Sequence, residues 1–500
     1  IPIRKTPLEL PAVGASQPAK LEITPRRAGR LPLRVCLYHR NLLVQSLALR
    51  AHAGVLPEGE APYSIELDYA ATTDFQLLDE RPSPGLSLFE NDAEGTHWIG
   101  TRTDGDDPKG ALFPLPHDLL RDHLSAARKT LSEVHEACSE RYEYADPKND
   151  HRDYREAKLV ELAKAGFRLA QALFATNPMA RKAKPSWSAD AVPHGGLVSV
   201  SRLRGTAPSI PWQMIYDRPL YVTSPQLTLC AHAREEMGKG ALRQCGATCP
   251  KAGTDEEELT VCPLGFWGLR YRIEQPLDML ETKGAVPDLS QVIADQTEVD
   301  GARGLRIAYN AGLVTAPGHV AALSGVAQGE GLLVPPAIAT GSDIRKALRR
   351  GDGSVFYFFC HGEHDAAHAR FSLVLANGDP PDELDAASLA QRAAAERSFL
   401  VVLNVCNSVE ATSDRIHELM MALRSLGAIG AVSTETRVRE RFGTDFGERL
   451  IAKLAKGDSL GPAFLDLRWE LLTEALDASA FVYTLNALDG LRVSRAGSGR

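Results

Sequence analysis

The sequence predicts a multi-domain chain, with an antiparallel β-sandwich at the N-terminus, a helical linker, and a C-terminal α/β unit on a parallel sheet. Three observations carry this expectation. Short apolar segments alternating with period two occupy residues 19–112. Two stretches with apolar residues at helical spacing fall within 113–185. Over 291–494, apolar runs alternate with helical patterns, which is the mark of a doubly wound sheet. A chain of 500 residues also exceeds what one core usually spans.

Residues 1–18 read as a flexible lead-in. The sandwich strands are Leu21-Glu22-Ile23-Thr24, Leu33-Arg34-Val35-Cys36-Leu37-Tyr38, Leu43-Val44-Gln45-Ser46-Leu47, Tyr63-Ser64-Ile65-Glu66-Leu67 and His97-Trp98-Ile99-Gly100. His39, His52 and His97 stand alone among them and read as structural or surface residues. Helices are expected over 116–140 and 154–174, with a hinge at Asp146-Pro147-Lys148-Asn149-Asp150 between them. A strand over 196–201 and a buried segment at Ile210-Pro211-Trp212-Gln213-Met214-Ile215-Tyr216-Asp217 follow.

Beyond residue 287 the expected strands are 305–309, 331–335, 354–360, 371–375, 399–405, 428–433 and 481–485. The intervening helices are 318–326, 342–349 (with Ser342 as N-cap), 385–396, 414–426, 442–456 and 459–476.

Composition narrows the function classes. At 44% hydrophobic and 24% charged the chain resembles ordinary globular proteins. A net charge of -8 offers no basic excess for phosphates, so nucleic acid is not expected as a direct ligand. No apolar run approaches the roughly 18 residues of a membrane span, and the first twenty residues do not read as a secretory signal. Eight cysteines in 500 residues is not a disulfide framework, so a reduced, cytoplasmic setting is expected.

Four of those cysteines, Cys230, Cys245, Cys249 and Cys262, fall within 33 residues. Two readings of them stand. They could hold a structural Zn²⁺ through four thiolates, or they could simply share a loop region. The nearby run Asp255-Glu256-Glu257-Glu258 reads as a solvated face.

The stretch over 354–408 carries the chemistry. One apolar run ends in Cys360-His361-Gly362, the other in Cys406-Asn407-Ser408. Such runs suit strands buried on both faces of a parallel sheet, whose ligands gather at the carboxyl ends of the strands. An imidazole and a thiol would then share one rim. His361 is the candidate general base and Cys406 the candidate nucleophile, since a thiol needs a base or a lowered pKa to react. The N–H groups of Gly362 and Cys406 could form an oxyanion hole, and no cofactor is needed for such catalysis. Asn407 and Ser408 would line the rim on the substrate side. Glu363 and Asp365 lie near His361, but neither declares itself as an orienting third member. Cys360 should point away from His361 into the core, and His364 and His368 read as loop residues. Taken alone, either His361 or Cys406 would be an ordinary strand-end residue; it is their pairing that points to a site.

Phe358-Phe359-Cys360-His361-Gly362, Leu373-Val374-Leu375, Val401-Val402-Leu403-Asn404-Val405-Cys406-Asn407-Ser408 and Leu426-Gly427-Ala428-Ile429-Gly430-Ala431-Val432 resemble the CHAT domain. CHAT domains are bacterial caspase-like cysteine proteases, related in fold to separases, metacaspases and gingipains. The segment around Trp212 is similar to the family's Pro-Trp-Glu stretch, with Gln213 where Glu is usual. The 45 residues from His361 to Cys406 approach the offset of about 50 noted for caspases.

The resemblance implies a caspase-like fold for 291–494, a degenerate protease-like half over 186–290, His361 as base and Cys406 as nucleophile. It further implies a protein substrate and a context of anti-phage defence or regulated cell death, with a gasdermin-like pore former as one candidate target; because a protease in the cytoplasm must be held off, an activating partner or ligand is expected. No 34-residue helical repeat accompanies it here. In metacaspase-like relatives an acidic residue just before the nucleophile helps hold a basic side chain; the resemblance thus implies Asn404, two residues before Cys406, as a pocket residue, and an amide there favours a neutral side chain at the cleavage position. The rival reading is a non-catalytic caspase-like signalling scaffold.

Overall fold

A computed structural model describes the chain except residues 1–5, 7, 9–16, 26–27, 57, 60, 72–77, 80, 104–109, 144–151, 175–191, 204–208, 238–253, 255, 278–296, 366–369, 379–380, 390–396, 407–412 and 495–500. At Cys406 it describes the backbone alone. The expected hinge at 146–150 therefore lies outside the described residues.

Strands β1 (Gly29–His39), β2 (Leu42–Ala53) and β3 (Tyr63–Ala70) form an antiparallel sheet. Strands β4 (Leu86–Ala93), β5 (Thr96–Thr103) and β6 (Gly110–Pro116) form an antiparallel meander. The two sheets meet through a small cluster of Leu43, Tyr69, Ala71 and Leu203, with Phe89 packed against it.

The meander does not end at residue 112 as the sandwich boundary predicted. The free edge of β4 pairs in parallel with β7 (Leu197–Arg202), which pairs in turn with β10 (Arg272–Glu274), giving the order β10-β7-β4-β5-β6. An edge of unpaired backbone groups is thereby covered from a distant part of the chain. Residues 21–24, expected as a strand, are irregular and exposed.

Helices α1 (His117–Glu143) and α2 (Arg152–Phe174) form as their periodicity predicts. They are packed elements more than a spacer. Leu120, Leu124, Leu131, Leu159, Leu162 and Phe174 join one continuous core with Trp212, Trp267, Phe442, Phe481 and Tyr483. Polar ties reinforce the seam. Arg128 donates to Glu435 at 2.9 Å, the backbone N–H of Arg439 donates to Nε2 of His135 at 3.0 Å, and the Arg439 guanidinium pairs with Glu136. Between α2 and the last sheet lie β7, the two-residue strands β8 (Thr228–Leu229) and β9 (Thr260–Val261), α3 (Ala231–Met237) and α4 (Trp267–Arg270).

The C-terminal unit runs β11 (Glu298–Val299), β12 (Leu305–Tyr309), α5 (Ala316–Gly329), α6 (Gly341–Arg350), β13 (Val355–Asp365), β14 (Arg370–Ala376), β15 (Asp382–Asp385), α7 (Ala386–Leu389), β16 (Phe399–Cys406), α8 (Ser413–Ser425), β17 (Ala428–Thr434), α9 (Glu440–Ala455), α10 (Leu460–Ala475), β18 (Tyr483–Asn486) and β19 (Arg492–Val493). Its seven-stranded sheet has the order β15-β14-β13-β16-β17-β18, with β12 also on β13. Strands β12, β13, β16 and β17 are parallel, the geometry expected for apolar runs joined by helices.

Alternate residues of β13 enter two different cores. Tyr357 and Phe359 face Phe442, Phe446 and Leu450 of α9, whereas Phe356, Phe358 and Cys360 face Ile344 and Leu348 of α6 and Leu419 and Leu423 of α8. Both faces of the sheet are thus covered. Each buried phenylalanine contributes roughly 1.5–3 kcal/mol. The N-cap of α6 is Thr340, whose side chain accepts from Asp343 N, and not Ser342. The segment expected as a strand over 331–335 is irregular; the nearby chain touches the sheet only at a bridge between Ile338 and Ala308. No described helix is long and apolar enough to cross a membrane.

Candidate functional site

His361 sits where the partner of β13 changes. Strand β12 pairs with β13 from Val355 to Phe359 and ends there. Strand β14 then takes over, antiparallel, from His361 to Asp365. Asn310 seals the junction, with its N–H on Phe359 O at 2.9 Å and its Nδ2 on Val374 O at 3.0 Å. So β13 continues past the histidine, where the sequence suggested that it stops.

Strand β16 pairs with β13 in parallel over seven rungs, the last of which joins His361 to Cys406. The two candidate catalytic residues are therefore direct register partners on adjacent parallel strands, at the carboxyl end of β16. Register partners in a sheet lie roughly 5 Å apart at Cα. His361 is half-buried, and its Nδ1 is buried with no hydrogen-bond partner among the described residues. No described side chain orients that ring, Glu363 included, which is exposed. Cys360 is fully buried in the opposite core, as expected from alternation. His364 lies on β13 opposite Phe371, not in a loop, and His368 falls outside the described residues.

Gly362 is buried, and a β-carbon there would come within 2.8 Å of Val405 Cγ1 and 2.9 Å of the Phe371 ring. Close packing on the α8 face thus demands glycine at this position. Asn407 and Ser408 lie outside the described residues.

Asn404 is not a pocket wall. It is completely buried, and its side chain is used on every side. Its Nδ2 donates to Tyr357 Oη at 2.6 Å and to Gly443 O at 2.7 Å, and its Oδ1 accepts from Tyr483 Oη at 2.8 Å. A buried amide in an apolar layer must be bonded in this way, and none of its groups is left for a ligand. The argument for a neutral cleavage position loses its footing with it.

Behind the same rungs lies His319 of α5, whose Nε2 is 2.8 Å from Tyr357 Oη and whose Nδ1 is 3.0 Å from Glu448 of α9. Burial pushes its pKa below the usual histidine value, against the pull of Glu448. Neither His319 nor Tyr357 was singled out from sequence; a tyrosine within a run of phenylalanines was the available signal.

Gln213 is buried and donates to Phe481 O at 3.1 Å and Thr484 Oγ1 at 2.8 Å, while Trp212 Nε1 donates to Glu90 of β4 at 2.9 Å, so this segment ties the N-terminal sheet to β18. Of the four clustered cysteines, Cys230 and Cys262 follow immediately on the paired strands β8 and β9, and Cys230 N–H bonds Val261 O at 2.9 Å. Both are buried; Cys245 and Cys249 lie outside the described residues. Among the described residues no three potential ligands form a metal-binding group. His97, buried, is held by Asp92 at 2.6 Å, and His39 is 3.2 Å from Asp79.

No family model matches the chain. The chain is similar to a protein of Vitiosangium sp. (strain GDMCC 1.1324) described as a "Probable protease", at 26% identity over 494 residues. That match covers 94% of this chain and 62% of the relative, so the chain spans about 62% of that relative's length. Among solved structures it is similar to the Saccharomyces cerevisiae separase–securin complex, with a TM-score of 0.38 and 10% identity, over 81% of this chain and 30% of that one.

Proposed function

We propose that the chain is a cysteine endopeptidase of the caspase-like CHAT type, cleaving a protein partner. The observation that carries this reading is the rung joining His361 to Cys406 across two parallel strands. By strand alternation, position 406 belongs to the same face of β16 as 402 and 404, and 361 to the same face of β13 as 357 and 359. The similarity to a "Probable protease" supports the same class of chemistry.

In this reading His361 takes the proton of the Cys406 thiol, and the thiolate attacks the carbonyl carbon of the scissile bond. The negative oxygen of the tetrahedral intermediate is met by the N–H groups of Gly362 and Cys406. As the C–N bond breaks, His361 returns the proton to the leaving amine. Water, deprotonated by the same imidazole, then hydrolyses the thioester. Asn407 and Ser408 line the substrate side, no cofactor takes part, and Cys230, Cys245, Cys249 and Cys262 are candidates for a structural zinc.

The setting we propose is the bacterial cytoplasm, in anti-phage defence or regulated cell death, with an activating partner or ligand and a gasdermin-like pore former among the candidate substrates. The test compares new protein N-termini, by mass spectrometry, in cells carrying wild type or Cys406→Ala with genomic neighbours co-expressed. N-termini that depend on Cys406 under phage challenge establish the protease and name its substrate. Retention of the cellular phenotype by Cys406→Ala, with no such N-termini, refutes it in favour of a scaffold.

A further inference from the structure

Just below the rung that joins His361 to Cys406, a buried polar chain crosses an otherwise apolar layer, and the chemistry proposed above does not use it. Its hydrogen-bond directions can be worked out. Tyr483 Oη donates to Asn404 Oδ1 at 2.8 Å, and Asn404 Nδ2 donates to Tyr357 Oη at 2.6 Å. The Tyr357 hydroxyl, having accepted that bond, directs its own proton to His319 Nε2 at 2.8 Å. The proton of a neutral His319 then resides on Nδ1, which donates to the half-buried Glu448 carboxylate at 3.0 Å. Tyr357, Asn404, His319 and Tyr483 are all buried.

The crossing is diagonal. The rung partner of Tyr357 is Val402, whereas that of Asn404 is Phe359, so the Tyr357–Asn404 bond joins the strands with an offset of two residues. That offset matters because, apart from Tyr357 and Asn404, the buried residues of β13 and β16 are apolar on both faces up to the site. Where neither face distinguishes one register from another by polarity, side-chain alternation specifies register weakly. A specific polar tie can set it, which is the best-attested role of buried polar groups. Helix α9 is held against the tie, since Gly443 offers its carbonyl to Asn404 and Gly447 leaves room for the Tyr357 hydroxyl.

We propose that Tyr357 and Asn404 are positioning residues, whose bond across β13 and β16, anchored by Tyr483 and His319, fixes the height of His361 against Cys406. The proposal rests on the reading of His361 and Cys406 as base and nucleophile.

The experiment needs no substrate. The rate of alkylation of Cys406 by iodoacetamide is followed against pH in the full chain, by mass spectrometry of the peptide that carries it. Wild type is expected to show an inflection below the free-thiol value of about 8.5, and His361→Ala to restore that value. Tyr357→Phe is expected to slow alkylation at pH 7 by about tenfold, by raising the inflection. His319→Leu, which removes the acceptor of the Tyr357 proton, should do the same, and His319→Gln, which keeps an acceptor, should restore the profile. Trp469→Phe is the matched control. It removes a comparable buried bond, to Leu269 O at 2.8 Å in α4, and should leave the Cys406 profile unchanged.

If Tyr357→Phe and His319→Leu both titrate as wild type while His361→Ala does not, positioning is refuted and the dyad stands. If wild type shows no lowered inflection, or His361→Ala leaves it in place, the dyad is refuted and the positioning proposal goes with it. Should Tyr357→Phe fail to fold, the His319 pair decides in the same terms.

Discussion

Replacing Gly447 with alanine tests the packing behind the site in a way that separates two opposite outcomes. In a solvated helix the change is stabilising by about 1 kcal/mol, because alanine forfeits less backbone entropy. Position 447 is not solvated. An added β-carbon would lie 2.1 Å from Tyr357 Oη and 3.3 Å from Asn404 Nδ2, so something must move. If α9 shifts outward, the stacked rings of Phe446 and Tyr483, with centroids 3.7 Å apart, are disturbed. If Tyr357 turns instead, its bonds to Asn404 and His319 are lost.

Overpacking costs typically about 1–3 kcal/mol, and a buried polar group left unpaired costs a further 1–3 kcal/mol. Set against the helix gain, the net expectation is a loss of about 1–5 kcal/mol. Urea unfolding followed by tryptophan fluorescence measures it. Gly325→Ala in α5 is the internal standard, because nothing lies within 4 Å of its added β-carbon; it should stabilise by about 0.5–1 kcal/mol. A Gly447→Ala protein as stable as Gly325→Ala would refute the close approach of α9 to the Tyr357–Asn404 pair.

Three further outcomes follow from buried groups. Burial lowers His135 to about 4, against the pull of Asp477 and Glu136, and its neutral ring accepts the Arg439 N–H. Its contribution is complete above about pH 6.5 and is lost as pH falls towards 4, because only the unfolded chain binds the proton there; at ~1.36 kcal/mol per unit this is about 3 kcal/mol, visible as a falling urea midpoint and reduced in His135→Gln. Arg128→Ala leaves Glu435, whose side chain is 7% exposed, without its 2.9 Å partner and should cost about 1–3 kcal/mol, with a double-mutant cycle against Glu435→Gln showing a coupling above 1 kcal/mol. Zinc analysis of the purified chain decides between the two cysteine readings, the metal reading expecting about one Zn²⁺ per chain, reduced in Cys230→Ser and Cys262→Ser.

What could be read from the sequence was what local pattern encodes. The runs in β13 and β16 announced themselves because strands buried on both faces have no polar alternation to conceal them. Helices α9 and α10 were legible from period alone. Pairing was not legible, since a strand's composition reports burial and says little about which neighbour supplies it. Thus β4 takes β7 as a parallel partner from over a hundred residues away, and β14 inherits the edge of β13 that β12 vacates at Phe359. Nothing local marks either event, and the first of them turned an expected sandwich into a mixed sheet.

Asn404 shows how the same residues could have been read better. The resemblance to metacaspase-like relatives, which carry an acidic residue just before the nucleophile, implied a place for it in the substrate pocket. Yet position 404 is flanked by Val402, Leu403 and Val405 in a strand predicted to be covered on both faces. A lone amide in such a strand must find partners inside the protein for both its N–H donors and its carbonyl or be costly, on the order of 1–3 kcal/mol for each group left over. Burial therefore argued for a polar partner on a neighbouring strand, and Tyr357, the hydroxyl-bearing aromatic in the adjacent apolar run, was the candidate in view. The pair of glycines four residues apart in α9 pointed the same way, because small residues at that spacing on a buried helix let its backbone approach another element. Family analogy suggested a ligand for Asn404, whereas the accounting of its hydrogen bonds leads to Tyr357, Tyr483 and Gly443.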